Sequence, residues 1–261
     1  MKIFDCFTIF NEKEFLEIRL EYLKDLVDYF IIIEGSKTFS GKEKKQFFSF
    51  DLIEDQELKN KIRYYYIDFN EDAYINEPVW ISDDKAKDCW QREEFQRDSI
   101  IKGLFDANPD DLIIITDIDE IPNKEKIKSL KEKNEVLNEY KIISLETDMF
   151  YASLLNKTRL WYHPKILKYK NINNRLSIIR MSYPDAIIPN GGWHFSYFGG
   201  KERIENKINS FSHIELTEEN SKKIFINQFK KENYVRLDFD LNSLPDIFLN
   251  EKYKNFFFPI D

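Results

Sequence analysis

The sequence predicts an α/β fold, a mainly parallel central sheet flanked by helices with antiparallel strands added in its second half. Three observations carry this. The first 33 residues run apolar, amphipathic, apolar, which is the signature of a strand–helix–strand unit. Two aliphatic runs, Phe30-Ile31-Ile32-Ile33 and Leu112-Ile113-Ile114-Ile115-Thr116, stop at carboxylates, Glu34 and Asp117. Near-continuous runs of that kind belong to strands buried on both faces, as in a parallel sheet covered by helices. Between 140 and 170 apolar and polar positions alternate instead, the pattern of longer antiparallel strands.

Taken in order, Ile3 to Phe10 reads as the first strand. Asn11 stands where a helix N-cap is wanted, with Glu14 as its capping-box partner. Phe15, Ile18, Tyr22, Leu23 and Leu26 then recur at helical spacing, and Tyr29 to Ile33 is the second strand. A polar loop over 35–45 leads to a short helix and a strand at 62–67, and 70–87 is acidic and irregular. The next helix covers Trp90 to Phe105, turning Phe95, Ile100, Ile101 and Leu104 inward. Pro109 and two aspartates then turn the chain into the strand that ends at Asp117. A Lys-rich helix runs from Asn123 to about Asn138. Residues 191–200 hold four of the seven glycines, so the backbone there is expected to need conformations closed to other residues, with His194 in a turn. Helices over 201–211 and 217–232 and a loose aromatic tail complete the chain. With no repeat and no linker, 1–261 reads as one domain.

Composition narrows the function classes. Among 261 residues, 39 Lys+Arg face 47 Asp+Glu, a net charge of -8 that argues against a nucleic-acid partner. Two cysteines, Cys6 and Cys89, support neither a disulfide framework nor a four-cysteine zinc site. No apolar run approaches the ~20 residues of a membrane span, and the N-terminus has no apolar leader core. The expectation is a cytoplasmic protein, or one at the cytoplasmic face of a membrane.

The sharpest local signal is Asp117-Ile118-Asp119-Glu120-Ile121-Pro122 at the carboxyl end of a buried strand, where open α/β sheets bind ligands. Three carboxylates in four residues repel unless a cation sits among them, and hard ions such as Mg²⁺ or Mn²⁺ take such oxygens together with substrate phosphates. The alternative is an acidic turn capping the next helix. His194, among glycines and aromatics, has a stronger claim as a metal contact than His163 or His213. Arg97 would partner a diphosphate or a site carboxylate; the alternative is a surface pair with Glu93. No Gly-x-Ser-x-Gly, Walker loop or Gly-x-Gly-x-x-Gly occurs.

Together these segments resemble the family 17 glycosyltransferases, the β-1,4-N-acetylglucosaminyltransferase group. The resemblance rests on Phe4-Asp5-Cys6-Phe7-Thr8-Ile9-Phe10-Asn11-Glu12 with Leu16-Glu17-Ile18-Arg19, Ile33-Glu34-Gly35-Ser36 through Lys42, and Gln96-Arg97-Asp98. Asp111-Leu112 through Pro122 and Gly192-Trp193-His194-Phe195-Ser196 complete it, in order, over roughly residues 3–212. It implies a GT-A-like nucleotide-sugar-binding fold, with 1–122 as the nucleotide-sugar half and 123–261 as the acceptor half with C-terminal helices. It further implies a UDP-GlcNAc donor, a glycan acceptor, a divalent metal and inversion at the anomeric carbon. Carried over residue by residue, Asp117 and Asp119 hold the metal and the donor, with His194 as a third metal contact. Asn11, Glu12 and Glu34 line the uridine pocket, and Lys207 is a donor contact. The base that takes the acceptor proton is Glu202, with Asp148 the runner-up. The mannose acceptor is not carried over, because 140–185 and 213–261 offer little to match. A nucleotidyltransferase or sugar-nucleotide pyrophosphorylase is the rival enzyme class, weakened by the lack of a glycine-rich N-terminal loop. A non-catalytic carbohydrate-binding module would account for the aromatics, though most suit a core.

Overall fold

The computed structural model describes residues 1–69, 84–210, 219–227, 230–234 and 237–259. β1 (Ile3–Ile9) is buried at every position, including Asp5, whose carboxylate is answered by Arg19. α1 (Lys13–Leu23) follows, but Asn11 does not cap it. The Glu12 carboxylate turns back to accept from the N–H groups of Phe10 (2.9 Å) and Asn11 (3.0 Å), and Glu14 pairs with Arg203 instead. β2 (Tyr29–Gly35), α2 (Gln56–Lys61) and β3 (Ile62–Ile67) come next. α3 (Asp84–Asp98) starts before Trp90 and passes into 3-10 turns over Ser99–Leu104. That tighter winding sends Ile101 outward while Ile100 and Leu104 stay buried. β4 (Leu112–Asp117) and β5 (Glu120–Pro122) frame the acidic turn, and α4 (Lys124–Glu132) and α5 (Glu135–Glu139) divide the Lys-rich stretch.

Strands β6 (Ile143–Tyr151), β7 (Lys157–Trp161) and β8 (Lys165–Lys168) lead to α6 (Leu176–Met181), β9 (Ala186–Ser196), α7 (Lys201–Ser210), α8 (Glu219–Asn227) and α9 (Lys254–Phe257). One sheet joins the strands in the order β3-β2-β1-β4-β8-β6-β9-β5, with β7 on β6. The expected α/β architecture is present. β3, β2, β1 and β4 are parallel, and their carboxyl ends align, with Thr8 opposite Asp117 and Ile9 opposite Glu34. β8 meets β4 antiparallel, β6 lies antiparallel to β7 and β8, and β9 runs parallel to β6 and antiparallel to β5. Both faces of the parallel half are buried. Ile3, Phe7, Phe30 and Ile32 pack into one cluster with α1, and Phe4, Cys6, Ile31 and Ile33 into the other with Ile100 and Leu104.

Two expectations are corrected in the second half. Residues 191–196 form strand, not a turn. Their glycines serve close approach, since a Cβ on Gly192 would lie 2.4 Å from the Ile121 carbonyl and one on Gly191 2.9 Å from Leu145 Cα. The turn comes afterwards, where Tyr197, Gly199 and Gly200 have φ of 62°, 92° and 85°. The aromatic tail is not loose either. Phe248 and Phe257 are fully buried, packing on Phe195 at 5.0 and 5.4 Å between ring centroids. His213, most of the acidic stretch and the ends of the 217–232 segment lie outside the described residues. Among the described residues, no helix is long and apolar enough to cross a membrane.

Candidate active site

A cavity of about 550 Å³ opens at the carboxyl ends of β1 and β4, a volume suited to a nucleotide-sized ligand. Its first wall is Thr8–Phe10 and Glu12, the Lys37–Phe39 loop, and Glu93, Gln96 and Arg97 of α3. The opposite wall is Met149 and Tyr151 of β6, Arg159, Trp161 and His163 on and after β7, and His194, Ser196 and Tyr197. Asp117–Asp119 form the floor, with Arg180 from α6 and Lys207 from α7.

The acidic turn is held from behind by Arg19, which is fully buried. Its guanidinium pairs with Asp5 at 2.6 and 2.7 Å and donates to Thr116 Oγ1 and to the carbonyls of Asp117 (3.0 Å) and Glu120 (2.8 Å). An arginine on the apolar face of α1, four residues from both Phe15 and Leu23, was the signal that could have marked it. Arg180 ties the turn from the other side. It donates to Asp117 Oδ2 at 2.7 Å and to both Glu120 oxygens at 2.7 and 2.8 Å. Arg97 takes Asp117 Oδ1 at 2.7 Å and stands 3.3 Å from Glu93. Of the partners expected for Arg97, the site carboxylate and Glu93 are both present, but the guanidinium is buried rather than on the surface. Trp161 Nε1 donates to Glu120 at 2.6 Å. Burial pushes the carboxyls of Asp117 and Glu120 up, yet the Arg180 charge, joined at Asp117 by Arg97, holds both below the ordinary range. Arg180 had no sequence signal, because its partners lie 60 and 63 residues away.

Asp119 faces the cavity differently. Its Oδ2 accepts from Lys207 Nζ at 2.7 Å, and its Oδ1 lies 3.8 Å from His194 Nε2, too far for a hydrogen bond. His194 is buried by the pairing of β9 with β5, which sets it opposite Glu120, and its Nδ1 has no hydrogen-bond partner among the described residues. Burial works against the Lys207 ammonium, but Asp119 raises its pKa well above the ordinary value. Burial also raises the Glu12 carboxyl, a shift that Lys207 only partly offsets. His163 is pushed down to about 4 by burial and by the Arg180 charge.

Four of the sequence-based site residues stand apart from this cavity. Glu34 is fully buried behind its wall, accepting from Lys44, from the N–H groups of Phe47 (2.6 Å) and Phe48 (2.9 Å), and from Tyr64 (2.9 Å). It anchors the 36–48 loop and presents no oxygen to a ligand. Asn11 is exposed and outside the lining. Asp148 immediately precedes the cavity-lining Met149 on β6, so strand alternation turns it to the other face, where it pairs with Lys157 at 2.7 Å. Glu202 is exposed in the first turn of α7, away from the lining to which that helix contributes Lys207 and Ser210. Among the described residues, no three His, Cys, Asp or Glu side chains converge as a metal site.

Comparison with known proteins adds a family. The model of glycosyltransferase family 17 matches residues 1–243. A β-1,4-mannosyl-glycoprotein 4-β-N-acetylglucosaminyltransferase of Rattus norvegicus is 27% identical over 132 residues, 50% of this chain and 23% of that protein. Its Homo sapiens counterpart is 26% identical over 132 residues, 50% and 24% of the two chains. The match thus spans about a quarter of those relatives' length. A solved glucosyl-3-phosphoglycerate synthase from Mycobacterium tuberculosis, in complex with Mn²⁺, UDP and phosphoglyceric acid, is similar at 17% identity and a TM-score of 0.26. It covers 57% of this chain and 43% of its own, a likeness too distant to carry an argument.

Proposed function

The chain belongs to glycosyltransferase family 17, and on that premise we propose that its cavity transfers N-acetylglucosamine from UDP-GlcNAc to a glycan hydroxyl, with inversion and with a divalent metal bound. The observation that carries this reading is the Asp119–His194 pair, which faces the cavity 3.8 Å apart. A buried imidazole whose Nδ1 is unpartnered and whose Nε2 stops short of a carboxylate is a donor set that suits a cation. One carboxylate oxygen and one imidazole nitrogen fit Mn²⁺ better than Mg²⁺, with diphosphate and water oxygens completing the shell. Each Asp117 oxygen already accepts from an arginine, so Asp119, with Oδ1 free of hydrogen bonds among the described residues, is the better-placed ligand. The bound metal would supply Lewis acidity toward the departing diphosphate.

The protein's own residues supply the rest. Lys207 stands beside Asp119 to meet phosphate charge. The acceptor oxygen attacks the anomeric carbon, the bond to the diphosphate oxygen breaks with its electron pair, and one proton must be taken up. Among the cavity's carboxylates Asp117, Asp119 and Glu93 are engaged by cations. Glu12 alone combines a raised pKa with an oxygen, Oε1, free of hydrogen bonds among the described residues. It replaces Glu202 and Asp148 as the base.

UDP release from a panel of UDP-sugars with Mn²⁺ and a set of glycan acceptors tests the reading. Donor-dependent release is expected to stop with EDTA and in Asp119→Ala. Pyrophosphate formed from UTP and a sugar phosphate would instead establish the nucleotidyltransferase, and sugar binding indifferent to Asp119→Ala the binding module. Glu12→Gln should lower kcat by about 10²-fold or more with UDP affinity retained. Lost UDP affinity with kcat kept would make Glu12 a nucleotide contact instead.

A further inference from the structure

The cavity's cations are nearly all answered by carboxylates. Lys37 stands 3.4 Å from Glu43, Lys44 pairs with Glu34, Arg97 and Arg180 share Asp117, and Lys207 holds Asp119. Arg159 is the exception among the described residues. It lines the cavity from β7, its Nε donates to Met149 Sδ at 3.3 Å, and its guanidinium rests 5.3 Å from the Trp161 ring centroid, with no carboxylate partner. A guanidinium with its fork free, braced by an aromatic ring, is suited to bind a carboxylate or phosphate through two parallel hydrogen bonds.

Strand pairing fixes where that anion would sit. Arg159 is opposite Met149, Met149 is opposite His194, and His194 is opposite Glu120, so the four occupy one row on one face of the sheet. Two strand spacings, roughly 10 Å, separate Arg159 from His194. That is too far for one phosphate to bridge and lies on the wall opposite the nucleotide half. The surroundings favour an anion as well. His163, on the same wall, is pushed down to about 4 by burial and by the Arg180 charge, so it adds no negative charge against an anion there.

We propose that this end of the cavity is a subsite for an acidic substituent, carboxylate or phosphate, on the acceptor glycan, and that Arg159 binds it. The proposal rests on the transferase reading and narrows its acceptor class to acidic saccharides. The full chain, with UDP and Mn²⁺, is titrated by NMR with methyl glucuronoside and methyl mannoside 6-phosphate against neutral methyl glucoside and methyl mannoside. At least one charged probe should bind about tenfold more tightly than its neutral counterpart, the two arms separating carboxylate from phosphate. The preference should vanish in Arg159→Gln and survive in part in Arg159→Lys, whose retained charge also controls for folding. If neither charged probe is preferred, or if the preference persists in Arg159→Gln, the assignment falls. A separate titration with UDP and Mn²⁺ alone keeps failure of the transferase reading distinct, because it does not involve the acceptor wall.

Discussion

At the residue scale the site is an exercise in charge balance. Arg180 is the buried cation shared by Asp117 and Glu120, and Glu120 is wholly out of solvent. Removing one member of such a group leaves a buried charge uncompensated, so Arg180→Met is expected to cost about 3–5 kcal/mol of stability, read as a lowered denaturant midpoint. Lys207→Ala also strips the buried Asp119 of its cation, so it too should lower the denaturant midpoint, while abolishing UDP binding if it meets the diphosphate. A second prediction concerns pH. Burial and the Arg180 charge push His163 down to about 4 in the fold from an ordinary 6.5, so the unfolded chain takes up its proton first. Its contribution is intact above about 6.5 and is lost as pH falls toward 4. The Tm difference between wild type and His163→Phe should therefore shrink across that window; a constant difference would show that the imidazole is not held neutral. The same scale explains what the sequence revealed. Asp117, Asp119 and Arg97 could be found because strand-end position and local charge are written within a few residues. Arg180, and the role of base proposed for Glu12, required knowing which distant groups face them.

Elements decide which of the chemically suitable residues can act. Strand and helix periodicity located β1, β2, β4 and α1 directly, since a run buried on both faces or an apolar helical stripe is a local pattern. Parity was harder to read. On β6 the cavity takes Met149 and Tyr151, so Asp148, the residue just before Met149, is excluded by one residue of alternation. Asp148→Ala should accordingly retain UDP release, losing at most about 1 kcal/mol with its Lys157 pair. Glycines misled for a related reason: Gly191 and Gly192 mark close strand contacts rather than a turn. A methyl on Gly192 would run into the Ile121 carbonyl at 2.4 Å and Pro122 Cα at 3.0 Å, both backbone atoms of β5. Gly192→Ala is expected to cost about 1–3 kcal/mol and, by pushing β5 from β9, to disturb the Glu120–His194 register. Mn²⁺ affinity should then fall more than stability alone explains, whereas unchanged metal affinity would detach β5 pairing from the site.

For the whole molecule, the net charge of -8 and the anionic nucleotide sugar proposed as its ligand look opposed until charge is located. Residues 51–84 carry ten of the Asp and Glu against three Lys and Arg, while the cavity gathers Arg97, Arg180 and Lys207 around its carboxylates and adds Arg159 on its other wall. The overall balance therefore disfavours a polyanion without opposing one chelated diphosphate. The cavity also draws its walls from both halves, from Thr8 through Asp119 and from Met149 through Lys207. A ligand bound there makes contact with both, so its binding energy should stabilise 1–122 and 123–261 together. At about 100 times Kd, UDP with Mn²⁺ would add roughly 2.7 kcal/mol, which for a chain of this size corresponds to about 5–10 °C in Tm. A single calorimetric transition is expected to move by that amount in wild type and to stay in place in Asp119→Ala or with EDTA. Two transitions of which UDP moves only one would mean that the halves fold separately and that the nucleotide is held by one alone.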